Sequence, residues 1–156
     1  MTHNPLKITL KSEQETASLA HRLSHHLAPG DVMLLRGEIG AGKSYFARSL
    51  IQFSQEIAED VPSPTFTLVQ TYNTRIGEIW HADLYRLGAT DEIIELGLAN
   101  AFQEAICLVE WPEILGSLTP SGALTITFKT TPKPGHRQLE FSWADASWAD
   151  RLAGFG

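Results

Sequence analysis

Apolar and polar residues alternate along Leu6-Lys7-Ile8-Thr9-Leu10, the period of two that marks a half-exposed strand. The period then lengthens. Ser12-x-x-Glu15 reads as a capping box, and Thr16, Leu19, Ala20, Leu23 and Leu27 share one face of a helix that Pro29-Gly30 stops. Val32-Met33-Leu34-Leu35 does not alternate at all. A short unbroken apolar run suits a strand buried on both faces. Phe46, Ala47 and Leu50 restore helical spacing, in a helix from about Lys43 to about Ser54. Residues 66–72 alternate again, Thr74-Arg75-Ile76-Gly77 reads as a turn, and a second strand from Glu78 continues toward Leu87, which predicts an antiparallel hairpin. Residues 90–96 open a short helix broken by Gly97, with 98–102 as a further turn. Ile106-Cys107-Leu108-Val109 is a second unbroken apolar run, ending in Glu110. Residues 123–129 and 137–143 alternate strongly and predict a second hairpin across the loop 131–135. The tail carrying Trp148, Leu152 and Phe155 reads either as a short helix or as a frayed end.

Between the first unbroken run and the helix that follows lies Gly37-Glu38-Ile39-Gly40-Ala41-Gly42-Lys43-Ser44, a complete G-x-x-x-x-G-K-[ST] phosphate-binding loop in its proper strand–loop–helix setting. A chance match occurs in on the order of one chain in two hundred at average glycine usage, and the flanks lower that further. The three glycines let successive backbone N–H groups turn toward an anion without Cβ clashes. A helix starting near Lys43 adds its open N–H groups and the positive end of its dipole. Lys43 is placed to reach the β- and γ-phosphates and the Ser44 hydroxyl to ligate Mg²⁺. The loop defines the expected fold class: an α/β, P-loop NTPase-type mixed sheet flanked by helices, with antiparallel hairpins added. The 156 residues, without an internal repeat or linker, are expected to form a single P-loop ATPase domain over 1–156.

Composition narrows the function. An apolar fraction of 43% and a charged fraction of 19% are those of a soluble globular protein. Twelve basic against eighteen acidic side chains give a net charge of −6, which argues against a large basic surface for gripping nucleic acid. Cys107 is the only cysteine, so neither an intrachain disulfide nor a Cys-based zinc site is expected, and its apolar neighbours make it a buried thiol. No apolar stretch approaches membrane-spanning length and no apolar signal core opens the chain, so the expected location is the cytoplasm.

The strand ends supply the remaining chemistry. Ligands in open α/β sheets sit beyond the carboxyl ends of the strands. Glu110 ends its strand there, where a carboxylate holds Mg²⁺ directly or through water, or orients an attacking water. Asp83 lies near the end of another strand, with Tyr85 and Arg86 after it; an isolated Asp of this kind reads equally as a turn residue or helix cap. Val61-Pro62-Ser63-Pro64-Thr65 is a stiff segment carrying hydroxyls. Thr65 is either a switch-type threonine near the γ-phosphate or metal, or part of an ordinary proline-rich turn. Trp111 either packs beside the nucleotide or roofs the core. His21 and His25 have the i, i+4 spacing of a metal pair, but with no third ligand placed to join them the three histidines of this helix, His26 included, read as a solvated face.

Four segments together, GEIGAGKS (37–44), SPTFTLV (63–69), HADLYRL (81–87) and LVEWPE (108–113), occur in the order and spacing of the bacterial TsaE ATPases, a family the chain resembles. The resemblance implies an ATPase that works with TsaB and TsaD to make N6-threonylcarbamoyladenosine beside the anticodon of tRNA, with tRNA met through the complex and weak intrinsic turnover governed by partners. It implies ATP and Mg²⁺ as cofactors. It assigns catalysis to Lys43, Glu110, Asp83 and Thr65 and the metal to Ser44, Asp83 and Glu110. Nucleotide contacts fall to Gly37, Glu38, Ile39, Gly40, Ala41, Gly42, Lys43, Ser44, Tyr45 and Trp111. Ser44 stands where the family more often has Thr, a hydroxyl either way, and Ala82 where a bulkier aromatic is usual.

Other classes of phosphate-loop protein fit less well. A small-molecule kinase needs an acceptor site and usually an arginine-rich lid, whereas the seven arginines here are scattered. A regulatory GTPase needs an N-K-x-D segment, which the chain lacks. A module that holds nucleotide without turnover is separable only by a phosphate-release assay.

Overall fold

A computed structural model describes residues 6–38, 40–57, 59–64 and 67–155. Strands β1 (Leu6–Leu10), β2 (Val32–Gly37), β3 (Val69–Thr74), β4 (Gly77–Asp83), β5 (Ile106–Glu110), β6 (Leu124–Thr130) and β7 (Arg137–Trp143) form one sheet in the order β1-β7-β6-β2-β5-β4-β3. The four central strands β6, β2, β5 and β4 run parallel, and antiparallel pairings add β7 and β1 on one side and β3 on the other. This is the mixed α/β architecture expected from the chain.

Period two in the central strands divides the core. Met33, Leu35, Ile79, Ile106 and Leu108 face one side, where α1 (Glu13–Ser24), α2 (Lys43–Ser54) and α5 (Ser147–Arg151) pack. Val32, Leu34, Ala82, Cys107 and Val109 face the other, covered by α3 (Thr90–Glu95), α4 (Leu98–Glu104) and a 3-10 segment, Pro112–Leu118. The unbroken apolar runs are explained by this two-sided burial. By the same alternation His81, Asp83 and Glu110 continue the face that carries α2, at the carboxyl ends of their strands.

Several boundaries differ from those read in the sequence. The strand expected over 66–72 begins at Val69, since Leu68 has a left-handed backbone (φ 69°) and its N–H turns back to Pro64 O at 2.6 Å. The next strand stops at Asp83; Leu87 N–H donates to Leu84 O, closing a turn. Residues 98–104 are a helix rather than a turn, because Gly97 (φ 81°) resets the chain and Leu98, Ala101 and Phe102 then bury at helical spacing. The tail resolves as α5, with Trp148 fully buried and its indole N–H donating to Gly122 O at 2.8 Å. The capping box is shifted by one residue: Glu15 N–H donates to Ser12 Oγ, but Glu15 Oε1 accepts from Lys11 N–H. No helix among the described residues is long and apolar enough to cross a membrane.

Candidate nucleotide site

The loop leaves β2 at Gly37, whose φ of 138° and close packing both demand glycine: a Cβ there would stand 2.5 Å from Phe128 O on the neighbouring strand. Gly40 and Gly42 also take positive φ. Gly42 is the N-cap of α2 and offers no side chain, in contrast to Ser12 at α1. The first bond back into α2 is Phe46 N–H to Gly42 O at 3.0 Å. The N–H groups of Lys43, Ser44 and Tyr45 precede it, leaving a positively polarised helix end open toward the cleft.

The cleft, of about 470 Å³, is lined by Gly40, Gly42, Lys43, Ser44, Tyr45, Asp83, Glu110 and Trp111, together with Glu13, Tyr85 and Arg137. Lys43 is buried, donates to Gly37 O, and sits 3.3 Å from the centroid of the Trp111 ring, within cation–π range. Burial holds the Lys43 ammonium below its ordinary range, an effect that the carboxylates of Glu110, Glu113 and Asp83 partly oppose. Trp111 reaches that position through a left-handed backbone (φ 56°), with its N–H on Leu35 O at 3.3 Å and its ring 4.9 Å from that of Tyr85. It therefore stands over the loop lysine, at the cleft rather than as a roof of the core.

Glu110 is 2% exposed and both its oxygens are engaged: Ser44 Oγ donates to Oε1 and His81 Nε2 bonds Oε2, each at 2.7 Å. Asp83 lies opposite Glu110 in the β4–β5 register. Its N–H is held by Leu68 O at 2.9 Å and its Oδ1 accepts from Tyr85 N–H at 3.0 Å. The donor set suits a hard divalent cation bound together with phosphates. It offers a hydroxyl and two carboxylates, whereas no group of three or more His, Cys, Asp or Glu able to cage a metal occurs among the described residues. Mg²⁺ is commonly held by one or two carboxylates plus substrate phosphates. The histidine helix contains no such cage either, and His21 stacks on Phe53 at 4.5 Å.

The loop and the two strand-end carboxylates expected from the sequence thus meet in one cleft. Gly37 and the buried Ala41 shape the loop without lining the cleft, and Ile39 and Thr65 lie outside the described residues. The sequence alone does not single out three residues of the site: Glu13, which lines the cleft, His81 and Arg137. His81 follows from alternation once Asp83 is placed, being two residues earlier on the same face. Arg137 carries no local signal. It reaches from β7 to donate to Ala41 O (3.1 Å) and Gly40 O (3.2 Å), and to its neighbour His136 O.

Fold and loop geometry together define a P-loop-type protein. The family model for threonylcarbamoyl adenosine biosynthesis protein TsaE matches residues 10–139. The chain is 40% identical over 120 residues to a Rickettsia bellii protein named tRNA threonylcarbamoyladenosine biosynthesis protein TsaE, covering 77% of this chain and 83% of that one. It is 35% identical over 125 residues to the Bacillus subtilis protein of the same name, covering 80% and 77%. A crystal structure of Bacillus subtilis YdiB superposes with a TM-score of 0.79 at 26% identity, over 98% of this chain and 94% of that one. The chain belongs to the TsaE family of threonylcarbamoyl adenosine biosynthesis proteins.

Proposed function

We propose that this protein is the Mg²⁺-dependent ATP-binding and hydrolysing component of the tRNA N6-threonylcarbamoyladenosine machinery, acting in the cytoplasm with TsaB and TsaD. The observation that carries this reading is the Ser44–Glu110 hydrogen bond of 2.7 Å beside Lys43 at an open helix N-terminus. It brings phosphate-binding and metal-binding groups to one point. The open N–H groups of α2 and the Lys43 ammonium neutralise the phosphates. Ser44, Asp83 and Glu110 hold Mg²⁺, which when bound offsets charge on the β- and γ-phosphates. Glu110 and Asp83 also accept hydrogen bonds from water at that end of the cleft, and the resemblance to the family adds Thr65. Trp111 and Tyr85 cover one side, keeping bulk water from the loop lysine.

Turnover by the lone chain is slow in this reading. The one arginine among the described residues lining the cleft, Arg137, spends its guanidinium on loop carbonyls. An arginine finger is worth roughly 10³–10⁵ in rate, and partners supply what is missing or reorganise the site. The test is phosphate release from ATP with and without Mg²⁺, TsaB and TsaD, alongside ATP binding, for the wild type and Lys43→Ala. The wild type should release phosphate slowly, only with Mg²⁺, and at a partner-dependent rate. Lys43→Ala should bind ATP roughly 10–100-fold more weakly, the worth of a charge-assisted hydrogen bond, and release none. A folded Lys43→Ala protein that hydrolyses like the wild type would overturn the proposal, and ATP binding without release under any condition would replace it with a nucleotide-gated binding module.

A further inference from the structure

We infer that His81 is a positioning residue that, through Glu110, turns the Ser44 hydroxyl into a metal ligand; the inference rests on the function proposed above. In the β4–β5 pairing His81 stands opposite Leu108 and Asp83 opposite Glu110, so His81 is the diagonal neighbour of Glu110 on the same face. Such neighbours are within reach of long or aromatic side chains. Both side chains are buried, at 1% and 2% exposure, so water does not substitute for the bond between them. A carboxylate only accepts, so the proton in the bond to Oε2 is assigned to His81 Nε2.

The consequence falls on Ser44. A hydroxyl has one proton and two lone pairs. While its proton is directed to Glu110, a lone pair is available to the cleft. The terminal torsion of a glutamate side chain is broad, so an unrestrained carboxylate would leave the Ser44 proton without a fixed acceptor and its lone pair without a fixed direction. His81 removes that freedom by holding the far oxygen.

Packing alone does not explain this imidazole. Its Nδ1 is buried without a hydrogen-bond partner among the described residues, a cost that native cores seldom carry without another role for the group. Direct ligation by His81 is disfavoured as well, since Nε2 is engaged by Glu110 and Mg²⁺ prefers oxygen donors. Partners that fix a metal ligand from behind typically change metal affinity by about 10–100-fold when removed.

His81→Gln and His81→Asn separate the two roles: glutamine carries an amide N–H at about the reach of Nε2, asparagine only at about that of Nδ1. A fluorescent ATP analogue is titrated onto the full chain in EDTA and across a Mg²⁺ series, with thermal melts as a control. We expect H81N to need about 10–100-fold more Mg²⁺ for half-saturation, with its affinity in EDTA unchanged, and H81Q to stay within about threefold of the wild type. H81N tracking the wild type, both variants shifting equally, or loss of affinity already in EDTA would overturn the inference. Should H81N not fold, H81Q decides: a shift of about tenfold or more overturns it, and one within about threefold supports it. A wild type whose binding ignores Mg²⁺ would remove the proposed function itself, a result distinct from any difference among the variants.

Discussion

Cys107 shows how strongly a single position in this sheet is insulated. It lies in β5 between Ile106 and Leu108, 0% exposed, and burial, with a smaller contribution from the charge of Glu78, pushes its thiol up to about 12. The sign of the stability effect follows from proton counting. Between the ordinary thiol range, about 8.5, and that raised value, the unfolded chain has lost its proton and the folded one has kept it. Stability is therefore fully present below the ordinary range and falls as pH rises through the window, by at most about 1.4 kcal/mol per pH unit. Urea melts of the wild type and Cys107→Ala at pH 8 and pH 10 measure it: the stability difference between them should move against the wild type by about 2 kcal/mol. An unchanged difference would mean that the thiol titrates alike in both states. In the native protein the thiol should react only slowly with alkylating reagents at pH 8, because the thiolate is the nucleophile.

Among the elements, α5 has the least intrinsic reason to exist. Five residues make a helix too short to persist alone, yet Trp148 is fully buried, its indole donates to Gly122 O, and the Arg151 guanidinium lies 3.9 Å over its ring while bonding Asp31 at 2.6 Å. Tertiary packing holds this helix. Trp148→Ala should therefore cost about 3–5 kcal/mol by urea melt, well above the ~1 kcal/mol expected for losing the Ser12 cap. A loss comparable to the cap would show that the tail is peripheral to the fold. The same contrast explains which parts of the structure were legible beforehand. The strands β2 and β5, the helix α2 and the hairpins announce themselves through local periodicity and motif, and they carry the loop, Asp83 and Glu110 to one edge. The left-handed Trp111, whose N–H meets Leu35 O, and the tie from Arg137 to Gly40 and Ala41 depend on contacts distant in sequence. Arg137 meets the loop across 96 and 97 positions, a separation at which no periodicity or cap carries information.

For the molecule as a whole, charge decides how it can meet its proposed substrate. The net charge is −6, and cations that a nucleic acid would need are already engaged: Lys43 on Gly37 O, Arg137 on the loop, Lys129 on Glu140, Arg151 on Asp31. Affinity for a polyanion scales with the number of phosphates neutralised, with log K falling by about 0.9 per log unit of salt for each contact on a duplex. A chain of this net charge should therefore bind tRNA no more tightly than the non-specific range of about 10⁻⁴–10⁻⁶ M at physiological salt, and less tightly as salt rises. Sedimentation of the protein with tRNA at near-physiological salt measures this directly. Adding TsaB and TsaD with ATP should bring the chain into a tRNA-containing assembly. That recruitment should fail for Lys43→Ala, because the nucleotide-loaded cleft, rather than a basic surface, is what the partners would sense. Tight binding of the lone protein to tRNA, indifferent to salt, nucleotide and partners, would show instead that RNA is recognised by the chain itself.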